Sequence, residues 1–246
     1  MMVTDKSELT QIWKKGGFQA YDDETLIALM ADLLEMVPPY IRLNRVYRDI
    51  PAHQILHGSH LANLRQVAEE LLASRGGKVI DTASREVKGK LVTVENIELD
   101  IRHHEASKDH DYLITFEEKW NNKKHQIGYT VVPENAPDDA TLYSLLRLRI
   151  PSQYYSKEPH FLPVLEWAAI IREIHTFGEQ VGIGEEDESA IQHRWFGKKM
   201  VVEAEKNVRE KYPDIKKIAV IAWVGVRPYF EKLWYTLEEG YMVKYL

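Results

Sequence analysis

Residues 192–197 form the segment with the clearest chemical potential in this sequence. The segment carries glutamine, histidine and arginine and ends in Gly197, after which KKMVVEAEKNVREKY has a helical pattern. The first backbone N–H groups of a helix have no partner within it, and the helix dipole adds partial positive charge there. The spacing therefore predicts an anion site, suited to a pyrophosphate, where the helix starts. An ordinary loop that leads into a capped helix would give the same pattern.

Two further groups of side chains have the composition of binding sites. Arg42, Arg45 and Arg48 are spaced by three in an extended segment, and they suit either phosphate contacts or a solvated, ion-paired face. A cluster of histidines and aspartates suits a metal site, although a polar turn between strands accounts for it equally well. The members of this cluster are His103, His104, Asp109, His110 and Asp111.

The composition limits the classes of protein to which the chain can belong. It has 246 residues, 44% of them hydrophobic, and no cysteine. Disulfides, thiolate zinc sites and cysteine-ligated iron–sulfur clusters are therefore excluded within the chain. The net charge of -6 argues against indiscriminate nucleic-acid binding. The sequence has neither a long apolar run nor a secretory signal, which predicts a cytoplasmic protein without membrane contact.

Hydrophobic periodicity predicts a helical first part and a mixed second part. Apolar residues recur at helical spacing after Asp22, and a second helical pattern ends at Gly77. Beyond this glycine, β-forming residues dominate from KVIDTASREV onward, and the end of the chain alternates strands with helices. We therefore predict an α/β (α+β) protein with a helical module over residues 1–77 and a mixed domain over residues 78–246.

Several motifs occur in an order that resembles one family. They are RVYRDIPAHQI, NLRQVAEE, SREVKGK, LRLRIPS, REIHTFG, QHRWFG, KIAVI, GVRPYFEKL and EGYMVKYL. In this order they resemble the GNAT acetyltransferases, and in detail the acetyltransferase end of the Elongator catalytic-subunit family, which modifies the wobble uridine 34 of tRNA. The resemblance runs from about Ser7 to Leu246.

That resemblance implies a GNAT acyl-CoA N-acyltransferase fold that uses acetyl-CoA. The resemblance implies that the hydroxyl usually placed on the leaving thiolate is the one lost at Phe230. Tyr229 is the remaining candidate for the acid, although a packed aromatic on a helix face accounts for it equally well. The residues implied to hold acetyl-CoA are Ile174, His175, Gln192, His193, Gly197 and Lys198. The residues implied to contact tRNA are Arg42, Arg45 and Arg48.

The resemblance also concerns what precedes the acetyltransferase domain in the family. The helical module resembles the tail of a radical S-adenosylmethionine domain, and the iron–sulfur part of that domain would lie before the matched region. We therefore expect the radical step to require a radical S-adenosylmethionine subunit, or a full-length relative, in trans.

Four positions around the implied site depart from the family pattern. Tryptophan replaces a family glycine at Trp195, Trp223 and Trp234, and Phe230 replaces one member of a tyrosine pair. Indoles at these positions are expected to fill space that acetyl-CoA needs. Phe230 has no proton to donate, which leaves Tyr229 as the candidate acid.

A further departure from the family pattern concerns a structural zinc site. Val79, Asp81 and Ser84 stand where the family has the cysteines of a structural zinc site. The resemblance therefore implies that this chain holds no zinc and that packing stabilises the segment instead.

Three functions remain open from the sequence. The first is an acetyl-CoA-dependent module that acts on tRNA uridine with a radical partner. The second is a non-catalytic paralogue that binds tRNA or a partner subunit while its tryptophans close the acetyl-CoA site. The third, protein lysine acetylation, rests only on the resemblance to GNAT enzymes.

Overall fold

The computed structural model describes residues 2–46, 48, 50–87, 97–118, 140–177 and 188–246, with side chains from residue 195 onward in the last range. It divides into two compact units, Met1–Arg85 and Glu86–Leu246. Among the described helices, none combines the length and the apolar character needed to cross a lipid bilayer.

The first unit is built around two packed helices. Its elements are β1 (Val3–Thr4), α1 (Leu9–Lys14), α2 (Asp23–Glu35), β2 (Ile55–His57), α3 (Leu64–Ser74) and α4 (Thr82–Arg85). The carboxylate of Asp22 accepts a hydrogen bond of 2.7 Å from the amide of Thr25, which caps α2 and contributes about 1 kcal/mol. The apolar faces of α2 and α3 pack together, and the buried residues there are Ala31, Leu34, Ala68 and Leu72.

The segment after Gly77 was predicted as a strand, and that prediction is wrong. The carboxylate of Asp81 accepts hydrogen bonds from the two amides at the start of α4, a local pattern that favours a helical turn over an extended chain. Arg85 is buried and donates to the carbonyl of Pro39 at 2.9 Å. These bonds keep residues 78–85 with the helical unit, so the division falls after Arg85.

The second unit is a mixed sheet with one long helix across it. The described strands are β3 (Ile97–Ala106), β4 (Asp109–Glu118), β5 (Leu142–Ile150), β6 (Ala168–Thr176), β7 (Lys217–Val220), β8 (Thr236–Glu238) and β9 (Tyr241–Tyr245). Their order in the sheet is β3-β4-β5-β6-β7-β9-β8. The described helices are α5 (Gln153–Ser156), α6 (Glu188–Lys211) and α7 (Arg227–Glu231). The predicted α/β class is confirmed.

Helix α6 covers one face of the sheet. Its Phe196, Met200 and Val208 belong to the same buried cluster as Ile114 of β4 and Leu146 of β5. Both β4 and β5 are buried along most of their length. This packing holds α6 against β4 and β5, in the sheet that also carries the candidate site.

Candidate active site

The sheet opens between β6 and β7. These two strands run parallel and pair from Ala168 with Lys217 to Ile171 with Val220. Strand β6 continues to Thr176 alongside β5, whereas β7 ends at Val220. The main chain of residues 172–176 is therefore not paired by β7, and no other described strand pairs with its N–H and C=O groups on that side, an arrangement that suits an extended ligand.

A bulge lies where the two strands part. Leu148 of β5 pairs with Ile171 of β6, and Arg147 pairs with Glu173, so that Arg172 is an extra residue without a partner on β5. A bulge bends its strand and increases the local twist. The bend at Arg172 accounts for the separation of β6 from β7 at this point.

The hydroxyl of Tyr229 lies against helix α6. A Cβ atom placed on Gly197 would come within 2.9 Å of Tyr229 Oη, so a glycine at position 197 permits the close approach of this phenol. Oη is buried and has no hydrogen-bond partner among the described residues. Burial raises the pKa of Tyr229 to about 12, because it disfavours the phenolate. The phenol therefore keeps its proton at neutral pH.

Phe230 has a different environment from Tyr229. Its ring is buried in the core cluster and lies edge-on to the rings of Tyr229 and Tyr235, with centroid separations of 5.1 and 5.5 Å. The aromatic ring at position 230 therefore packs the interior. Of these two neighbouring aromatic residues of α7, Tyr229 is the one that carries a hydroxyl, and this hydroxyl faces α6.

A second polar atom of α7 is also left without a partner. Nε of Arg227 is buried and makes no hydrogen bond to the described residues. A buried donor without a partner costs about 1–3 kcal/mol. Two such atoms, two residues apart on one short helix, are typical of a site that is completed by a ligand.

The residues predicted on β6 lie on the unpaired stretch of that strand. Ile174 is partly buried against the core. The side chain of His175 is exposed, with Nε2 3.4 Å from Oε1 of Glu173. Any contact from these two residues to a ligand along the strand edge would be made by their main chains.

The predicted phosphate site at the helix start needs a correction. Helix α6 begins at Glu188 and not near Gly197, so the four predicted residues Gln192, His193, Gly197 and Lys198 lie within the helix. Amides in a helix interior donate to carbonyls four residues earlier. The amides of Gly197 and Lys198 are therefore not available to a pyrophosphate, and the side chains of Gln192 and His193 lie outside the described residues.

The tryptophans do not fill buried space as the sequence predicted. The side chains of Trp223 and Trp234 are 85% and 83% exposed. Trp234 has a φ of 68°, a left-handed conformation that suits glycine far better than tryptophan. Trp195 is 42% exposed. Its ring lies 5.7 Å from that of Phe116, with Nζ of Lys199 3.6 Å above it.

The histidine cluster belongs to a strand pair and not to a polar turn. His103 and His104 lie on β3, opposite Tyr112 and Asp111 on β4. Nε2 of His103 is 2.8 Å from Nδ1 of His110. Within the described part of the chain, no group of three His, Asp or Glu side chains has the geometry to hold a metal ion.

The positions of the family's zinc cysteines serve the packing and hydrogen bonding of the first unit. Val79 packs against the helical core, and the hydroxyl of Ser84 donates to the carbonyl of Val79 at 3.0 Å. The two carboxylate oxygens of Asp81 accept four hydrogen bonds. Because Val79 offers no ligand and Asp81 has its oxygens engaged, these residues do not fit a zinc ion.

The arginines predicted to bind tRNA lie in the first unit. Arg45 and Arg48 are exposed in a segment without regular secondary structure. Nε of Arg42 donates to the side-chain oxygen of Asn44 at 2.9 Å. Two of the three guanidinium groups are therefore accessible to a phosphate backbone, as a contact with RNA requires.

Sequence reasoning missed two features of this site. Gly197 was assigned to a phosphate loop, whereas it makes room for Tyr229. The bulge at Arg172 has no local signal, because REIHT reads as an unbroken strand. Arg227 could have been singled out, since it is the arginine in the GVRPYF motif.

Comparison with known proteins gives matches over the whole chain. A family model described as the Radical_SAM C-terminal domain matches residues 1–73. Elongator complex protein 3 of Dictyostelium discoideum is 35% identical over 247 residues, which cover 100% of this chain and 40% of that protein. The tRNA uridine(34) acetyltransferase of Dehalococcoides mccartyi is 34% identical over 253 residues, with 100% of this chain and 49% of that protein covered.

A solved structure also matches this chain over its whole length. The archaeal Methanocaldococcus infernus Elp3 with an N-terminal deletion superposes with a TM-score of 0.79 at 28% identity, covering 100% of this chain and 54% of that one. The chain thus spans 40% to 49% of the length of the first two curated relatives. The family suggested by the sequence motifs is confirmed: over its whole length, the chain is a homologue of the carboxy-terminal part of the Elongator complex protein 3 and tRNA uridine(34) acetyltransferase family.

Proposed function

We propose that this chain binds acetyl-CoA and contributes the acetyl-transfer part of tRNA wobble-uridine 34 modification. The observation that carries the proposal is the hydroxyl of Tyr229, which is buried and without a hydrogen-bond partner among the described residues. A protein that keeps such a group at a cost in stability is expected to use it. The relatives, Elongator complex protein 3 and a tRNA uridine(34) acetyltransferase, suggest the substrate and the reaction class.

The residues of the opening have complementary roles in this proposal. The unpaired main chain of residues 172–176 binds an extended ligand through N–H and C=O groups. Acetyl-CoA supplies an acetyl group activated as a thioester. Tyr229 holds a proton at Oη, within reach of a departing sulfur, and its raised pKa keeps that proton in place at neutral pH.

The remaining partners follow from the family. Arg45 and Arg48, exposed in the first unit, and Arg42 contact tRNA phosphates. A radical S-adenosylmethionine domain, in a separate subunit or in a full-length relative, performs the carbon–carbon chemistry. The described residues contain no cluster of metal ligands, and the chain has no cysteine, so we assign the iron–sulfur step to that partner.

The test is acetyl-CoA titration by calorimetry, followed by detection of free thiol released from acetyl-CoA in the presence of tRNA. We expect the parent protein to bind acetyl-CoA, and Tyr229→Phe to bind it about equally well. Thiol release should fall roughly 100-fold or more in Tyr229→Phe, in the range typical of a lost general acid. Tyr245→Phe removes an exposed hydroxyl from β9 and is the matched control.

The free energy of unfolding of Tyr229→Phe distinguishes a catalytic role of this hydroxyl from a structural one. Tyr229→Phe removes a buried hydroxyl that has no described partner, so the free energy of unfolding should stay the same or rise. A lower stability together with a lower rate would mean that the hydroxyl supports the fold. Absence of acetyl-CoA binding by the parent protein would refute the proposal.

A second function, a paralogue that binds RNA or a partner without acetyl transfer, is favoured by helix α6. Its continuation from Glu188 through Gly197 removes free amides from the positions where the family resemblance implies phosphate contacts. The same calorimetric titration tests this alternative. Binding of tRNA by the parent protein without binding of acetyl-CoA would establish the non-catalytic function.

A further inference from the structure

The chain that leaves β7 presents apolar side chains to solvent. Ile221, Trp223 and Val224 are all mostly exposed, and the indole of Trp223 is the most exposed of the three. An apolar side chain in water contributes nothing to the core, and contiguous exposed apolar residues mark interaction surfaces. The fold therefore gives no reason for tryptophan at position 223.

This segment is continuous with the candidate active site. The amide of Val226 donates to the carbonyl of Trp223 at 2.9 Å, which closes a single turn. Helix α7 starts at the next residue, Arg227, and carries Tyr229. The exposed indole and the candidate acid thus lie on either side of one closed turn.

A cation lies at the end of the same turn. Nε of Arg227 is buried and has no hydrogen-bond partner among the described residues. An anionic oxygen would satisfy this donor, and guanidinium groups favour phosphate. An exposed aromatic plane next to an arginine with an unsatisfied donor is the combination by which proteins bind unpaired nucleotides.

We propose that Trp223 stacks on an unpaired base of the RNA substrate while Arg227 binds the adjacent phosphate. The identity of the RNA as an anticodon loop rests on the proposed function, whereas the stacking rests on the turn itself. A protein partner fits this surface less well, because a specific protein interface is larger than one turn. The unpaired donor of Arg227 also calls for an anion.

The experiment measures the affinity of the full chain for an anticodon stem-loop RNA that carries 2-aminopurine at position 34. Trp223→Ala should weaken binding roughly 5- to 150-fold, the range for loss of one stacked base. Trp223→Phe should retain most of the affinity. Binding to the parent should quench the 2-aminopurine fluorescence, and Trp223→Ala should abolish the quenching.

Two variants complete the design. Trp234→Gly removes an indole of nearly equal exposure from another turn and should leave RNA affinity within about twofold, since surface positions away from a site have small effects. Arg227→Gln should weaken binding and reduce the slope of affinity against salt by about one phosphate contact.

The outcomes separate this inference from the proposed function. Equal RNA affinity of Trp223→Ala and the parent would overturn the stacking role, whatever acetyl-CoA does. A change in self-association on sedimentation, without a change in RNA affinity, would also overturn it and would assign the surface to a protein contact. Stacking in a protein that does not bind acetyl-CoA would support this inference and refute the proposed function alone.

Discussion

The two units differ in whether their buried polar groups have hydrogen-bond partners. In the first unit, the side chain of Asp81 is fully buried, and each carboxylate oxygen accepts two hydrogen bonds. In the second unit, Tyr229 Oη and Arg227 Nε are buried without a described partner. Satisfied polar groups stabilise a fold, whereas unsatisfied ones cost stability and point to a ligand. The first centre is therefore structural, and the second is the one that we propose to be functional.

The largest expected effect on stability comes from replacement of Asp81, the structural centre of the first unit. Asp81→Ala removes one of the partners of Arg65 and the acceptor for the amide of Leu43. We expect the free energy of unfolding to fall by about 3–5 kcal/mol, because four part-buried donors lose this acceptor at once. Urea denaturation measures the loss, and Asp32→Ala, which breaks an exposed pair with Arg75, should cost less than about 1 kcal/mol. Equal losses would show that Asp81 is not a structural centre.

The next effect depends on the contact between Gly197 and Tyr229. Gly197→Ala places a Cβ 2.9 Å from Oη, and the resulting strain should lower the free energy of unfolding by about 1–3 kcal/mol. With Tyr229→Phe present, the nearest remaining ring atom is 3.7 Å from that Cβ. Alanine should then stabilise the helix by up to about 1 kcal/mol.

A double-mutant cycle measures this change in the effect of Gly197→Ala, from destabilising in the parent to stabilising beside Tyr229→Phe. Urea denaturation of the parent, the two single variants and the double variant gives the coupling energy between positions 197 and 229. Additive effects would contradict the contact. Met200→Leu, on the same buried face of α6, is a control for general disturbance of the helix and should show no coupling with Tyr229→Phe.

A smaller effect concerns pH and the histidine pair of the second unit. Burial, with a contribution from the positive charge of His110, lowers the pKa of His103 below its ordinary value. The unfolded chain then binds protons more readily than the folded one as the pH falls through about 6.5, so stability is lost on acidification. The urea midpoint should be lower at pH 5.5 than at pH 7.5.

Replacement of His103 tests the source of this dependence. His103→Gln should reduce the difference in midpoint between the two pH values, whereas His60→Gln, at an exposed position of the first unit, should not. An unchanged difference in His103→Gln would assign the pH dependence to another group. His104 is the first alternative, because burial lowers its pKa as well.

The smallest effect concerns the backbone conformation of Trp234. Trp234 has positive φ and a side chain that is mostly exposed. Trp234→Gly should raise the free energy of unfolding by up to about 1 kcal/mol, because glycine adopts this conformation without steric cost and little packing is lost. Trp234→Ala, which keeps a Cβ, should give no such gain in thermal or urea unfolding. A gain in both variants would mean that the backbone is not strained.

The sequence predicted some parts of this molecule because the signals for them are local. Apolar residues at helical spacing and the capping side chain of Asp22 predicted α2. Alternation predicted β4 and β5. Tyr229 was chosen by its place in a motif, and its role as an acid stays a prediction.

Other parts could not be predicted because they depend on contacts between distant residues. Gly197 favoured a loop, since glycine weakens helices, but the approach of Tyr229 explains why a glycine lies inside α6. The pairing of β6 with both β5 and β7 created the bulge at Arg172 and the opening beside it. The amino-acid sequence by itself thus determined the family, the α/β class and the candidate acid. Only the tertiary structure decided which polar atoms are buried without partners, because burial is a property of the packed chain.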